Sequence, residues 1–502
     1  MDTNKRIVVN TLAQHIRAVL NIGMSLFATR FILQALGNSD FGIFSLIGST
    51  VAMLGFITNA LVVTTQRHLS FSHGAGLSDE TRRIFANSLF VHIVMCIALM
   101  VILVAIEPFL FCGFLEIDDS KIPTAKQVYF IVMAMLLLSV ITSPYRAVFI
   151  ARENIVYISI IDFLDGFIRL ALSIALLYVS HDRLITYTWM MFSISTFNLL
   201  AFALYARRKF PETCLWPKRE NINKSTIFKI IDFAGWTIYS TGCIIGRNQG
   251  MAIVLNTFFG TIINTAYGIA SQVCNAVQFV SQAVINAMSP QIIKAEGNLE
   301  RHHMLSLAEV SCKYSFLLLA ILVIPICFEM PDLLKIWLGE TPESTAEISR
   351  FILVATLVDQ TTLGLGIANQ AIGNIRNYSL TVNTIKVMTL PIAYLSLALG
   401  FDIIITMWCY VGIEGICAIT RLPFLKHTAG LSIRHYTGKV LMKIFFPTLT
   451  LILVGYLCTS TITTQYRFFL TFLLSFMAGA ISIWTTSLSD KEKDISLHLF
   501  KR

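Results

Sequence analysis

The sequence predicts an all-α, polytopic membrane fold of about fourteen transmembrane helices, grouped as two six-helix lobes plus two C-terminal helices. Three observations carry this. Hydrophobic residues are 55% of the 502 and charged residues only 13%, with a mean hydropathy of +0.71, a balance outside the range of soluble domains. Apolar runs of about twenty residues recur between short polar stretches, the length a helix needs where lipid cannot satisfy exposed backbone amides. Lastly, the two halves of the chain echo one another.

The spans fall near 7–36, 40–65, 84–110, 124–149, 155–179, 184–206, 228–254, 260–288, 305–328, 348–372, 378–399, 402–424, 439–459 and 465–488. Lys5-Arg6 leads straight into the first, with no small-residue cleavage site between, so no cleavable signal peptide is expected there. The third and ninth spans end in the longest outer stretches, "EPFLFCGFLEIDDSKIPTAK" and "FEMPDLLKIWLGETPESTAEISR". The sixth ends in the longest cytoplasmic one, "RRKFPETCLWPKRENINKSTIFK". None is long enough to fold as a catalytic domain.

Orientation follows from the basic residues. With both termini cytoplasmic, most Lys and Arg collect on that side, Arg67, Arg146, Arg152, Arg376, Arg421, Lys426 and Lys439 among them. The other side keeps only Lys121, Lys126, Arg183, Lys335, Arg350 and Arg467. This obeys the positive-inside rule. The net charge of +9 therefore reflects membrane topology, and nucleic acid is not an expected partner.

Several chemistries lack a carrier. The cysteines are scattered, mostly within spans, without a C-x-x-C pair, and read as small apolar fillers. His302 and His303 adjoin in a loop without further ligands, so no metal is expected. The sequence has no Walker loop, no H-E-x-x-H and no G-x-S-x-G. No cofactor is implied, and a non-enzyme is expected.

The echo between halves is read in three places. "LGNSDFGIFSLIGSTVAML" in the second span aligns with "FFGTIINTAYGIASQVCNAV" in the eighth, pairing Phe41-Gly42 with Tyr267-Gly268 and Ser45 with Ser271. "EPFLFCGFLEI" answers to "MPDLLKIWLG", and "AVFIARENIVY" to "NQAIGNIRNY", in a common order roughly 222 to 226 residues apart. Elements six spans apart share one membrane orientation. Such parallel repeats are related by an axis along the membrane normal and place a substrate site where the halves meet. The expected organisation is an N-lobe over 1–206, a basic linker over 207–227, a C-lobe over 228–430, and two helices with a tail over 431–502.

Ionisable groups at membrane depth cost about 2.5–3.5 kcal/mol on insertion scales and face a partner or a wet cavity. Asp162, Asp165 and Arg169 in the fifth span are spaced i, i+3, i+7 on one helical face. They read either as a salt bridge joining helices or as a charged cavity lining. Arg17 and Arg30 lie in the first span, Arg247 with the small-residue series Gly242, Gly246 and Gly250 in the seventh, and Lys386 in the eleventh. Asp359, sharing a face with Thr362, Gly366 and Asn369, and Glu414, one heptad before Arg421, are candidates for ion coupling or for counter-ions. Glu309 and Lys313 read as an i, i+4 pair. In the eighth span Asn264, Ser271, Gln272, Asn275, Gln278, Gln282 and Asn286 project within roughly a 120° arc. Hydrogen bonds between helices account for two or three of these amides, and a hydrated wall for the whole ladder, which suits sugar hydroxyls because amides offer donors and acceptors together.

Fourteen spans in two similar lobes, with "ATRFILQALGNSDFGIFSLIGS" joining the first two, resemble the polysaccharide-transporter branch of the multidrug, oligosaccharidyl-lipid, polysaccharide (MOP) superfamily. That branch includes the Wzx-type flippases, and its fold is MATE-like. The resemblance implies an inner-membrane protein of bacteria that translocates an undecaprenyl-pyrophosphate-linked oligosaccharide, such as an O-antigen, capsule or exopolysaccharide repeat unit, by alternating access. Implied partners are that lipid-linked oligosaccharide, membrane lipid, and the glycosyltransferases and glycan polymerase of its pathway. Arg30 is the residue carried over from the family pattern. Arg17, Arg169, Arg247 and Lys386 would join it at the anionic head group, since guanidinium forks match phosphate oxygens. Gln272, Asn275, Gln278 and Gln282 would meet the sugars. Arg30→Ala and Arg247→Ala are expected to stop transport without touching packing. The alternative is a MATE-like cation/drug antiporter, kept open by Asp162 and Asp165. An embedded glycan polymerase or ligase would display a large outer loop, which this chain lacks.

Overall fold

In the computed structural model, residues 3–52, 54–111, 119–180, 182–218, 220–338, 342–462, 466–488 and 492–493 are described. Among them there is no strand. The helices are α1 (3–36), α2 (38–74, interrupted near 53), α3 (Ser78–Phe109), α4 (Ile122–Ala151), α5 (Ile155–Ala175), α6 (Arg183–Lys209), α7 (224–259), α8 (261–297), α9 (Arg301–Phe328), α10 (Thr345–Gln360 and Leu363–Ile372), α11 (Arg376–Ala398), α12 (Ile403–Ala429), α13 (Ile433–Thr461) and α14 (Arg467–Ser487). Each expected span has its helix.

Polar residues set the helix boundaries. The Asp182 carboxylate accepts from the backbone of Leu184 and Ile185 at 3.1 and 3.2 Å, starting α6. The Asn223 side chain accepts from the Ser225 amide at 2.9 Å ahead of α7, and Asp402 from the Ile403 amide at 2.6 Å ahead of α12. Each satisfies an amide that a helix start leaves unpaired. The turns joining α1 to α2 and α7 to α8 are each made by a single residue, Gly37 (φ 74°, ψ 175°) and Gly260 (φ 72°, ψ −164°). That region is essentially open only to glycine. The two glycines lie 223 residues apart in the same conformation, so the repeat extends to the backbone.

The chain folds as two compact units, Met1–Thr241 with Ile293–Leu299, and Gly242–Ile292 with Glu300–Arg502. In the first, the 3–52 helix packs along α5, and α4 packs against α2, α3 and α6. Its core includes Ile47, Val128, Tyr129, Leu176 and Met191 at one end and Phe85, Phe149 and Phe202 at the other. In the second, α10 packs on α12, α13 on α9 and α14, around Met251, Leu255, Leu319, Leu353 and Leu451.

Large apolar side chains are exposed, Phe27, Val101, Leu204, Leu457 and Phe476 among them, a distribution that fits lipid rather than water. Among the described residues, eight helices are long and apolar enough to cross a membrane, and nine when the halves of α10, bent by 44°, count as one span. Absent from that set are α1, α2, α5, α7 and α8, the helices carrying most of the charges and amides noted above. The second span is longer than expected and runs on to Gly74. Arg67 therefore lies inside a helix rather than in a loop, its guanidinium over the rings of Phe71 and Phe233 at 5.0 and 5.5 Å.

Candidate functional site

Each unit carries its own chain of alternating charges. In the first unit the chain is built on α5, where helical spacing puts Asp162, Asp165 and Arg169 on one face. Asp162 pairs with Arg17 from α1 and, in fork geometry, with Arg146 from α4 at 3.1 and 2.7 Å. Asp165 takes Arg169 at 3.3 Å and the Asn198 amide from α6 at 2.6 Å. Close approach of α1 depends on Gly166, where a Cβ would lie 2.7 Å from the Asn21 side chain and 2.8 Å from that of Met24. These ion pairs are half-buried. Three arginines against two aspartates leave one positive charge. Arg30 adds another: it is exposed on α1 and has no carboxylate partner among the described residues.

In the second unit the chain is buried. Arg247 on α7 pairs with Glu414 on α12, its guanidinium 4.9 Å from the Tyr410 ring. Lys386 on α11 lies between Glu414 at 3.1 Å and Asp359 on α10 at 3.0 Å. Arg421 closes the far end, reaching the Asp359 carboxylate at 2.8 Å and the Thr362 hydroxyl at 3.1 Å. Arg247, Glu414, Lys386 and Arg421 are each less than a tenth exposed. Three cations again face two acids. Buried charges such as these survive away from water only because each touches an opposite one.

Asp162, Asp165, Asp359 and Glu414 thus sit as counter-ions to Arg or Lys, while Arg247 and Lys386, expected at a head group, are the cations nearest Glu414. Arg247 is a packed side chain, which corrects the expectation that Arg247→Ala touches no packing. The charge asymmetry of the sequence places Arg146 and Arg421 on the cytoplasmic side; both lie in helices as partners of acids. Their signal in the sequence is faint, a basic residue one or two turns inside the end of an apolar run. The Glu309–Lys313 pair is also corrected: Lys313 bonds Glu492 at 2.8 Å, and Glu309 faces Lys439 at 3.2 Å.

The amides of α8 keep to one side. Gln272, Asn275 and Gln282 are exposed, and Gln278, half-buried, donates to the Thr356 hydroxyl at 3.4 Å. The opposite side, Val273, Cys274 and Val277, is buried in the core of the second unit. Among the described residues no group of three or more His, Cys, Asp or Glu side chains is placed to hold a metal ion.

No family model matches the chain, and no curated protein sequence does. Solved structures do. A point mutant of a MATE protein is 13% identical with a TM-score of 0.74, over 86% of this chain and 97% of that one. A multidrug resistance MATE family transporter of the MOP superfamily, in an outward-facing conformation, is 14% identical with a TM-score of 0.72, over 86% and 96%. A MOP superfamily transporter from Pyrococcus furiosus, whose reversed binding-pocket polarity is described as suggesting a different function, is 14% identical with a TM-score of 0.69, over 86% and 96%. At such identity the likeness is one of fold. The chain has the fold of MATE transporters of the MOP superfamily.

Proposed function

We propose that the chain is a transporter of the bacterial inner membrane, with both termini cytoplasmic, that flips an undecaprenyl-pyrophosphate-linked oligosaccharide by alternating access. A glycan bearing a pyrophosphate does not cross hydrocarbon unaided, and a positively biased path lowers that barrier. Arg30, exposed and free of a carboxylate among the described residues, carries the reading. Arg17 and Arg169, each half-buried beside an aspartate, stand with it as head-group ligands, and the exposed amides of α8 receive the sugars. Arg247 and Lys386 would act on the same anion only by releasing Glu414, and Asp359 and Glu414 serve as their counter-ions. The glycosyltransferases and polymerase of the glycan pathway are the partners this function needs.

The test is complementation in a host lacking the gene. Arg30→Ala should abolish surface glycan and accumulate the lipid-linked sugar in the inner leaflet, with membrane insertion unchanged. Arg30→Lys should restore part of the output if charge alone matters, and little if fork geometry does. Full complementation by Arg30→Ala would overturn the proposal.

A MATE-like cation/drug antiporter is the second reading, supported by the multidrug transporter among the structural relatives. It requires an acid open to a cation, whereas Asp162, Asp165, Asp359 and Glu414 each have a basic partner. Ion-driven efflux of a cationic dye by the purified protein in vesicles, lost on Asp165→Asn, would favour that reading.

A further inference from the structure

The second unit holds a cavity of about 320 Å³ at the end of the bundle where α10 gives way to α11. Asn369, Asn374, Asn377, Tyr378, Phe424 and His427 line it. Asn369 is 1% exposed, and neither its Nδ2 nor its Oδ1 has a hydrogen-bond partner among the described residues. An unpaired buried amide costs about 1–3 kcal/mol, a cost that a hydrogen-bonding group in the cavity would recover.

The repeat shows that the fold does not require a cavity there. Tyr378 and Phe424 meet edge to face at 5.9 Å and 83°. Tyr157 and Phe202, 221 and 222 residues earlier, meet at 6.0 Å and 83°. In that first-unit copy the space is filled: Tyr157 is stacked on by Tyr205 at 4.1 Å and by Phe149 at 4.8 Å, with Phe210 packed against Phe149 at 5.3 Å. In the second unit His427 stands where Tyr205 does in the first, and the lining carries amides.

The chemistry of the lining selects the ligand. Three primary amides offer donors and acceptors in both senses, the Tyr378–Phe424 pair offers an apolar ring surface, and no carboxylate, Lys or Arg lines the space. That set fits a neutral ring dense in hydroxyls better than an ion. The volume lies at the lower end of the ~300–1,000 Å³ typical of ligand pockets. We infer that this cavity is a monosaccharide-binding site, with Asn369 bonding the ring hydroxyls and the aromatic pair covering an apolar face. The inference stands apart from the flippase reading, since the ring belongs either to a free sugar or to a lipid-linked glycan.

The test uses the full chain in detergent and saturation-transfer difference NMR with methyl glycosides of glucose, galactose, N-acetylglucosamine and rhamnose, and glycerol as a control. At least one glycoside should bind saturably, glycerol should not, and Asn369→Leu and Asn374→Ala should each weaken binding by about tenfold, the effect of losing one or two hydrogen bonds. Asn369→Leu removes an unpaired amide at similar shape, so it should melt no lower than the parent, and Asn374 is exposed; lost binding is thereby separated from lost folding. If Asn369→Leu also lowers surface glycan, the ring comes from the carried glycan; unchanged output with lost glycoside binding assigns it to a free sugar. Absence of saturable binding, equal binding of glycerol, or unchanged binding in both variants overturns the inference.

Discussion

Arg30 and Arg247 look alike in the sequence, each a lone cation within an apolar run, yet their surroundings give them opposite expected behaviour. Arg30 is exposed, so its removal should leave stability near the parent's. Arg247 is buried between Glu414 and Tyr410, and breaking a buried ion pair by deleting one partner costs about 3–5 kcal/mol. Arg247→Ala should therefore lower the melting temperature in detergent clearly, and Glu414→Leu added to it should recover much of the loss; equal melting of parent and Arg247→Ala would contradict the buried pair. Outside the membrane spans, Glu212 in the basic segment after α6 is a second charged anchor. Burial pushes its pKa up, but His73 at 3.4 Å and a forked contact from Arg152 at 2.7 and 2.9 Å outweigh it and hold it down at about 2. A depressed carboxylate stabilises the fold above its unfolded value and stops doing so as pH falls through the folded one. The segment should thus stay docked down to pH about 4.5 and loosen between there and about 2. Limited proteolysis at 207–223 against pH would follow this, and Glu212→Gln should flatten the acid-dependent part.

At the scale of elements, the helices are legible in the sequence because bilayer thickness fixes their length, and every span expected from the apolar runs has a helix. What periodicity does not show is how they bend and join. Gly37 and Gly260 close their turns with no neighbouring heavy atom within 4 Å of a would-be Cβ, so any cost of substitution is backbone strain alone. Gly37→Ala and Gly260→Ala should each destabilise by about 1–3 kcal/mol, read as a drop in melting temperature, whereas Gly268→Ala, in a helix and equally uncrowded, should be tolerated. The face of α8 gives a sharper test. Cysteines placed at Gln272, Asn275 and Gln282 should react with a membrane-impermeant thiol reagent, and cysteines at Val273 and Val277 should not. No labelling on the amide face would show that this face does not meet water, and uniform labelling would show that the two faces do not differ. The spacing of the amides marks the face, but no spacing marks a partner: Asp162 finds Arg17 145 residues away, and Arg247 finds Glu414 167 away. Such pairs emerge only when helices distant in the chain are packed, which is why Arg146 and Arg421 read as surface charges in the sequence and as partners of acids in the fold.

In the molecule as a whole, residues 431–502 read from the sequence as two helices and a tail added to a repeated core, and in the fold charges hold them to α9. Three charges in or beside α9 have their partners in that stretch. Glu309 faces Lys439 at 3.2 Å and His435 at 3.8 Å. Lys313 reaches the Glu492 carboxylate at 2.8 Å and the Ser487 carbonyl at 3.3 Å. Glu329 accepts from Arg467 at 3.2 Å and from the Thr471 hydroxyl at 2.7 Å. All three are buried. Ending the chain at Gly430 would strip each of its counter-charge, at about 3–5 kcal/mol for every buried charge left alone, besides opening the α9 surface that α13 covers. Such a truncation should aggregate or fail to give a monodisperse peak in detergent, although both repeated halves remain. The attribution to charge is checked by rescue. Glu309→Gln, Lys313→Met and Glu329→Leu together should restore part of the monodisperse fraction to the truncated chain, while in the full-length chain the same changes strand Lys439, Glu492 and Arg467 at less buried positions and should cost little. If the truncated chain is as stable as the parent without those changes, the last two helices are not held to α9 by these charges.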